Sequence, residues 1–175
     1  MAKSAVFGIE KVTLDAPVIG GYPTFASGFS FKAIVKDSVK FTDEAASDND
    51  VEVEETDNLY AQIESSAPKK GFELDTYDLS EEAYTALQGF TKGSEGWIEE
   101  PTKVVDLVKA VQIVTRKMGE IPSKTFQWAN MKIKVTKAGN IGKSGFPNFH
   151  LVFTQLANFN ESGVEVSGHR WKMTE

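Results

Sequence analysis

The chain has 175 residues, 41% of them hydrophobic and 25% charged, enough for one domain with a sizeable core. It contains no Cys, which excludes disulfides, thiolate metal sites and a cysteine nucleophile. A formal net charge of −6 argues against tight binding to nucleic acid, which relies on Lys and Arg at phosphates, so no sequence-specific nucleic-acid partner is expected.

The opening MAKSAVFGIEKV has no long apolar stretch of the kind a secretory signal carries, and no run approaches a membrane-spanning length. No membrane partner is expected. In Phe29, Phe31, Ala33 and Val35, apolar residues alternate with Ser30, Lys32, Ile34 and Lys36, a period of two that predicts a half-buried strand. Leu59, Ala61 and Ile63 repeat the pattern. The two runs read as neighbouring strands.

Between them lies TDEAASDNDVEVEETD, from Thr42 to Asp57. It holds eight acids: Asp43, Glu44, Asp48, Asp50, Glu52, Glu54, Glu55 and Asp57. No Lys or Arg occurs between Lys40 and Lys69, and without these eight charges the net charge would be +2, so the acidity is local. Such a block repels itself, which predicts a long, solvated inter-strand loop, mobile in an isolated subunit. A sharper reading is a segment that orders on meeting a basic partner. Asp48, Asp50, Glu52 and Glu54 alternate somewhat as calcium ligands do, but the loop glycine of an EF-hand is absent. No metal or cofactor is expected.

GFELDTYDL continues as a strand and leads into a helix over Ser80–Gln88. Asp78 is placed to cap it, with Glu81 three residues later as in a capping box. Ala83, Leu87 and Phe90 form one apolar stripe, Glu81 and Glu82 suit the positive end of the helix dipole, and Gly89 is a terminator. Val104 to Met118 fits both periods; its β-branched residues favour a long strand from Leu107 onward. Trp128 to Val135 is the clearest strand: Ala129, Met131, Ile133 and Val135 face one way, and Asn130, Lys132 and Lys134 the other. Phe149, Leu151 and Phe153 mark another, and Val164 to Met173 the last. The whole reads as a single mainly β domain over residues 1–175, an antiparallel sandwich or barrel with one flanking helix.

Chemical motifs are sparse. His150 and His169 stand alone in the sequence and read as ordinary half-buried or surface residues. GNIGKSG has the wrong glycine spacing for a phosphate loop and precedes a strand, so it reads as a hairpin turn. Trp97, Trp128 and Trp171 read as core or interface packing, with a sugar-binding platform as the alternative. No catalytic residue set emerges, and an enzyme is not expected.

The order of segments resembles the major tail tube proteins of long-tailed bacteriophages. Three stretches carry it: GFELDTYDLSEEAYTALQGF (Gly71 to Phe90), a strand entering a short helix that ends in glycine; VKAVQIVTRK (Val108 to Lys117), a long strand after that helix; and FHLVFTQLANFNESG (Phe149 to Gly163), a late strand ending in a polar turn. A polar insertion between two early strands also fits. The resemblance implies a β-sandwich or small barrel, related in fold to inner-tube proteins of contractile injection systems. It implies a subunit that forms rings, commonly hexameric, which stack into a tube for the passage of DNA. The implied partners are other copies of itself and tape-measure, tail terminator and baseplate proteins. The implied location is the virion tail; without the resemblance, the cytoplasm. The long loop would pack on the next ring, with the face bearing Lys132 and Lys134 as a candidate basic partner. Two other readings stay open: a monomeric binding module, adhesin-like or carbohydrate-binding, and an enzyme on a β scaffold.

Overall fold

The computed structural model describes residues 8–51, 61–103, 107–142 and 145–174. Strand follows strand: β1 (Ile9–Asp15), β2 (Phe29–Ser30), β3 (Lys40–Glu44), β4 (Ser47–Val51), β5 (Ala61–Ser66) and β6 (Lys69–Thr76). The helix α1 (Glu81–Gln88) comes next, then β7 (Thr91–Lys92), β8 (Ile98–Glu99), β9 (Leu107–Thr115), β10 (Ser123–Ala138), β11 (Asn148–Gln155), β12 (Asn158–Phe159), β13 (Glu165–Val166) and β14 (His169–Thr174). Every ladder among them is antiparallel. The fold is mainly β with one flanking α-helix, as the alternation in the sequence requires.

The main sheet runs β2-β1-β9-β10-β11-β6-β3, with β14 also on β10. Strand β10 is long enough to serve two neighbours along one edge. Its first half, Ser123–Trp128, pairs with β14, and its second half, Met131–Ala138, pairs with β11. The register against β9 slips between Trp128 and Met131, and a bulge there bends the strand. The slip also places Trp128 and Ala129 both inside, where strict alternation would bury only one.

The bend lets the sheet fold over its own inner face. Phe72 of β6 meets Trp128 of β10 with ring centroids 5.1 Å apart, and Phe41 of β3 meets Phe126 at 6.0 Å. Val12, Leu14, Val111, Ile113, Met131, Ile133, Phe149, Leu151 and Phe153 complete the buried interior. Phe72 stacks on Phe153 at 4.3 Å, one cross-strand pair of this face.

Helix α1 closes one end. Ala83 and Leu87 are buried, and Tyr84 contacts Phe149 edge-on at 5.0 Å. The helix stops at Gly89, whose φ of 69° is left-handed. Its N-cap is Ser80, whose hydroxyl accepts the Ala83 N–H, and this corrects the assignment of Asp78. Asp78 is buried and accepts the backbone N–H groups of Lys32 and Ser80 instead.

The segment Phe29 to Val35 also departs from the sequence reading. Only Phe29–Ser30 forms a strand, and it pairs with β1, not with β5. Ala33 and Asp37 adopt left-handed φ of 52° and 59°, which no strand continues. Thr76 donates to the Lys32 carbonyl and Asp78 takes the Lys32 N–H, so backbone groups that a ladder would pair go to side chains. The segment crosses from β1, through Phe31 N–H to Val12 O, to the end of β6, through the Ile34–Thr76 bridge. It thereby ties β1 to the far side of the curled sheet.

Candidate assembly surface

The acidic stretch is a β-ribbon in its described part. Asp43 and Glu44 lie on β3, in register with Lys70 and Lys69 of β6. Asp48 and Asp50 lie on β4, which pairs with β5 as a separate two-stranded sheet. The sequence reading makes this stretch a loop; Lys40–Glu44 and Ser47–Val51 are strands. Glu52, Glu54, Glu55 and Asp57 lie outside the described residues. The β3–β6 ladder ends at Glu44↔Lys69, and a second ladder, β4 on β5, follows from Ser47↔Ser66 to Val51↔Ala61.

Charge along the ribbon changes with distance from the domain. At the root, Asp43 and Glu44 face lysines across the ladder, an arrangement that favours pairing. Further out, Asp48 is in register with Glu64 and Asp50 with Gln62. Two acids at opposed positions are unfavourable, and a lone two-stranded hairpin is marginal in water.

Lys132 and Lys134 lie on β10, in register with Thr154 and Val152 of β11. They share the outer face of the sheet with Glu73 and Lys40. β11 and β6 stand between them and β3, a separation of three strand spacings, roughly 14 Å. Asp43 and Glu44, on β3, are therefore not strand neighbours of Lys132 and Lys134.

The outer face also brings together groups that the sequence left isolated. His150 Nδ1 is 2.8 Å from Asp75 Oδ1, and its Nε2 is 3.9 Å from Glu73 Oε2. Lys40 Nζ reaches the other oxygen of Glu73 at 3.7 Å. Strand alternation placed each of these side chains on a polar face; only the β6–β11 register makes them neighbours.

An aromatic cleft of about 310 Å³ opens at the ribbon's root. Phe41, Phe126, Trp128 and His169 line it, with Asp43, Lys70 and Gln155 as polar members. His169 lies flat on Trp128, centroids 4.7 Å apart, and its Nε2 is buried with no hydrogen-bond partner among the described residues. Burial lowers the His169 pKa below the ordinary imidazole value, and the charge of Lys70 lowers it further. Burial and Lys70 thus both disfavour the charged imidazole.

The three tryptophans do not form a platform. Trp128 is buried, Trp97 is 71% exposed beside the β7–β8 turn, and Trp171 is exposed with Lys124 Nζ 5.2 Å from its ring centre. Among the described residues no helix is long and apolar enough to cross a membrane, and no group of three or more His, Asp or Glu is placed to hold a metal ion. No family model and no curated protein matches this sequence.

Proposed function

We propose that this chain is a structural, self-assembling subunit whose copies form rings, hexameric by the tail-tube resemblance, that stack into a phage tail tube for the passage of DNA. The observation that carries the reading is the acidic ribbon. Past the β3–β6 ladder it forms a second ladder, β4 on β5, outside the main sheet; among the described residues the acids of that ladder have no opposed bases and no third strand lies beside it. Such an element gains stability only from a neighbour that supplies cations or strand contacts, and a further copy supplies both.

In this reading the ribbon joins one ring to the next, and the outer face bearing Lys132 and Lys134 receives its acids. Tape-measure, tail terminator and baseplate proteins are the remaining partners. A net negative charge suits a tube that DNA must cross without sticking.

A second reading, a monomeric binding module, draws on the aromatic cleft, since aromatic walls with a few polar groups are what small ligands use. Negative-stain electron microscopy and sedimentation of concentrated protein separate the two. Tubes or rings are expected. A strictly monomeric protein, alone and with its tail partners, would overturn the assembly reading in favour of the module.

A further inference from the structure

The cleft is walled by aromatic rings and Trp97 is an exposed aromatic side chain, and the two lie at opposite ends of the molecule. The cleft sits at Lys70 and Gly71, the start of β6, and at Gln155, the end of β11. Helix α1 covers the other end of those strands, where Tyr84 packs on Phe149 and Phe149 pairs with Thr76. From Gly71 to Thr76 is roughly 17 Å of strand. The β7–β8 hairpin belongs to the α1 end, because Lys92 of β7 pairs with Glu81 of the helix at 3.0 Å.

Trp97 is fixed there as a knob. The Gly93 N–H donates to the Trp97 carbonyl at 2.8 Å, and Glu95 takes a left-handed φ of 71° to close the turn. The indole is 71% exposed, and its backbone is already held by the hairpin, so docking need not order the turn. The cleft offers aromatic faces on several sides. Phe41 is 58% exposed at its mouth, and Trp128 and Phe126 form its wall. About 310 Å³ is at the small end of the range for ligand sites, the size for one aromatic side chain. Glu95, Glu99 and Glu100 flank the indole in the sequence; Lys70 stands in the cleft as their opposite charge, across the ladder from Asp43, and Asp43 and Gln155 offer acceptors for an indole N–H.

We propose that Trp97 of one copy docks into the Phe41–Trp128–His169 cleft of the next copy. With the copies arranged head-to-tail, repetition of this contact gives a closed ring or an open filament. This inference rests on the self-assembly reading and names a contact for it. Trp anchors in aromatic pockets are the commonest energetic centres of interfaces.

The test uses full-length protein in three forms: wild type, Trp97→Ala and Phe41→Ser. Both substituted residues are exposed, and far-UV circular dichroism checks that each variant keeps the fold. Sedimentation velocity over a concentration series then reads assembly. Each variant should need a concentration roughly thirtyfold higher than wild type, or more, to associate. Mixed one to one, the variants hold one intact knob and one intact cleft, and they should regain association that neither shows alone. If Trp97→Ala assembles at the wild-type concentration, the docking is overturned and the self-assembly reading stands. If both variants are weakened and the mixture stays dissociated, the docking is also overturned, because the two residues then act separately. A wild type that remains monomeric throughout overturns both.

Discussion

His169 of β14 lies on the face of Trp128 of β10 with ring planes inclined by 21°, and the same imidazole leaves its Nε2 buried without a partner. A proton placed there would be a buried charge beside Lys70. The unfolded chain has no such penalty and takes up the proton near the ordinary value, about 6.5. The native state binds fewer protons in that window, so the contribution of His169 is complete above it and is lost as pH falls through it toward the lowered native value. Thermal melts of wild type between pH 7.5 and 5 should therefore fall more steeply than those of His169→Phe. Parallel curves would mean that His169 titrates freely.

Asp78 and Ser80 divide one task. Ser80 caps the helix through Ala83 N–H at 3.2 Å, and Ser80→Ala should cost about 1 kcal/mol. Asp78 is buried, which by itself opposes its charge. Hydrogen bonds from Ser80 and the Lys32 backbone, with the Lys32 charge, outweigh that and hold its pKa below the usual carboxylate value. Asp78→Ala orphans two N–H groups and should cost more than the cap, about 2–4 kcal/mol in urea titration. A lowered pKa means this stabilisation is present above pH ~3.9 and is lost as pH falls further. Equal costs for the two variants at pH 7 would contradict the division.

Gly71 faces the carbonyl of Phe153 so closely that an added Cβ would stand 1.9 Å from its oxygen. The obstacle is backbone in the middle of a ladder, so no side chain can swing aside. Gly71→Ala should separate β6 from β11 locally and lower stability by about 1–3 kcal/mol. Exchange of the β6 and β11 amides should speed up most around Thr154. A melting temperature equal to wild type would show that the two strands relax freely there.

Much of this was legible because strand and helix periods are local. Phe72 and Leu74, the Val111–Ile113 run, Met131 and Ile133, and Phe149 to Phe153 declare their buried face by alternation. Ala83 and Leu87 declare theirs by helical spacing. What failed depended on groups distant in sequence. Asp78 fits the capping pattern, but Lys32, 46 positions earlier, takes its carboxylate. Phe29 to Val35 alternates, yet Thr76 and Asp78 claim the Lys32 backbone and break the strand. His150 and Asp75 become partners only through register. The acidic stretch reads as a loop because its own segment holds no bases; Lys69 and Lys70, beyond the acids in sequence, supply them at the root of the ribbon.

The ribbon itself gives the last prediction. Its root, β3 on β6, belongs to the main sheet, whereas β4 and β5 form their own two-stranded sheet. Removing residues 45–68 and closing the gap with an Asn-Gly turn keeps the Glu44–Lys69 register and discards the outer ribbon. The described core residues all lie elsewhere, so the truncated protein should keep its circular dichroism spectrum and its melting temperature within a few degrees. If the ribbon links one ring to the next, the truncated protein should form no tubes by electron microscopy, and isolated rings should be the largest species. Because exposed charge pairs are screened over about 8 Å at physiological salt, wild-type stacking should also weaken as salt rises. Tubes from the truncated protein would remove the ribbon from the stacking contact, and rings that vanish along with the tubes would place it within the ring instead.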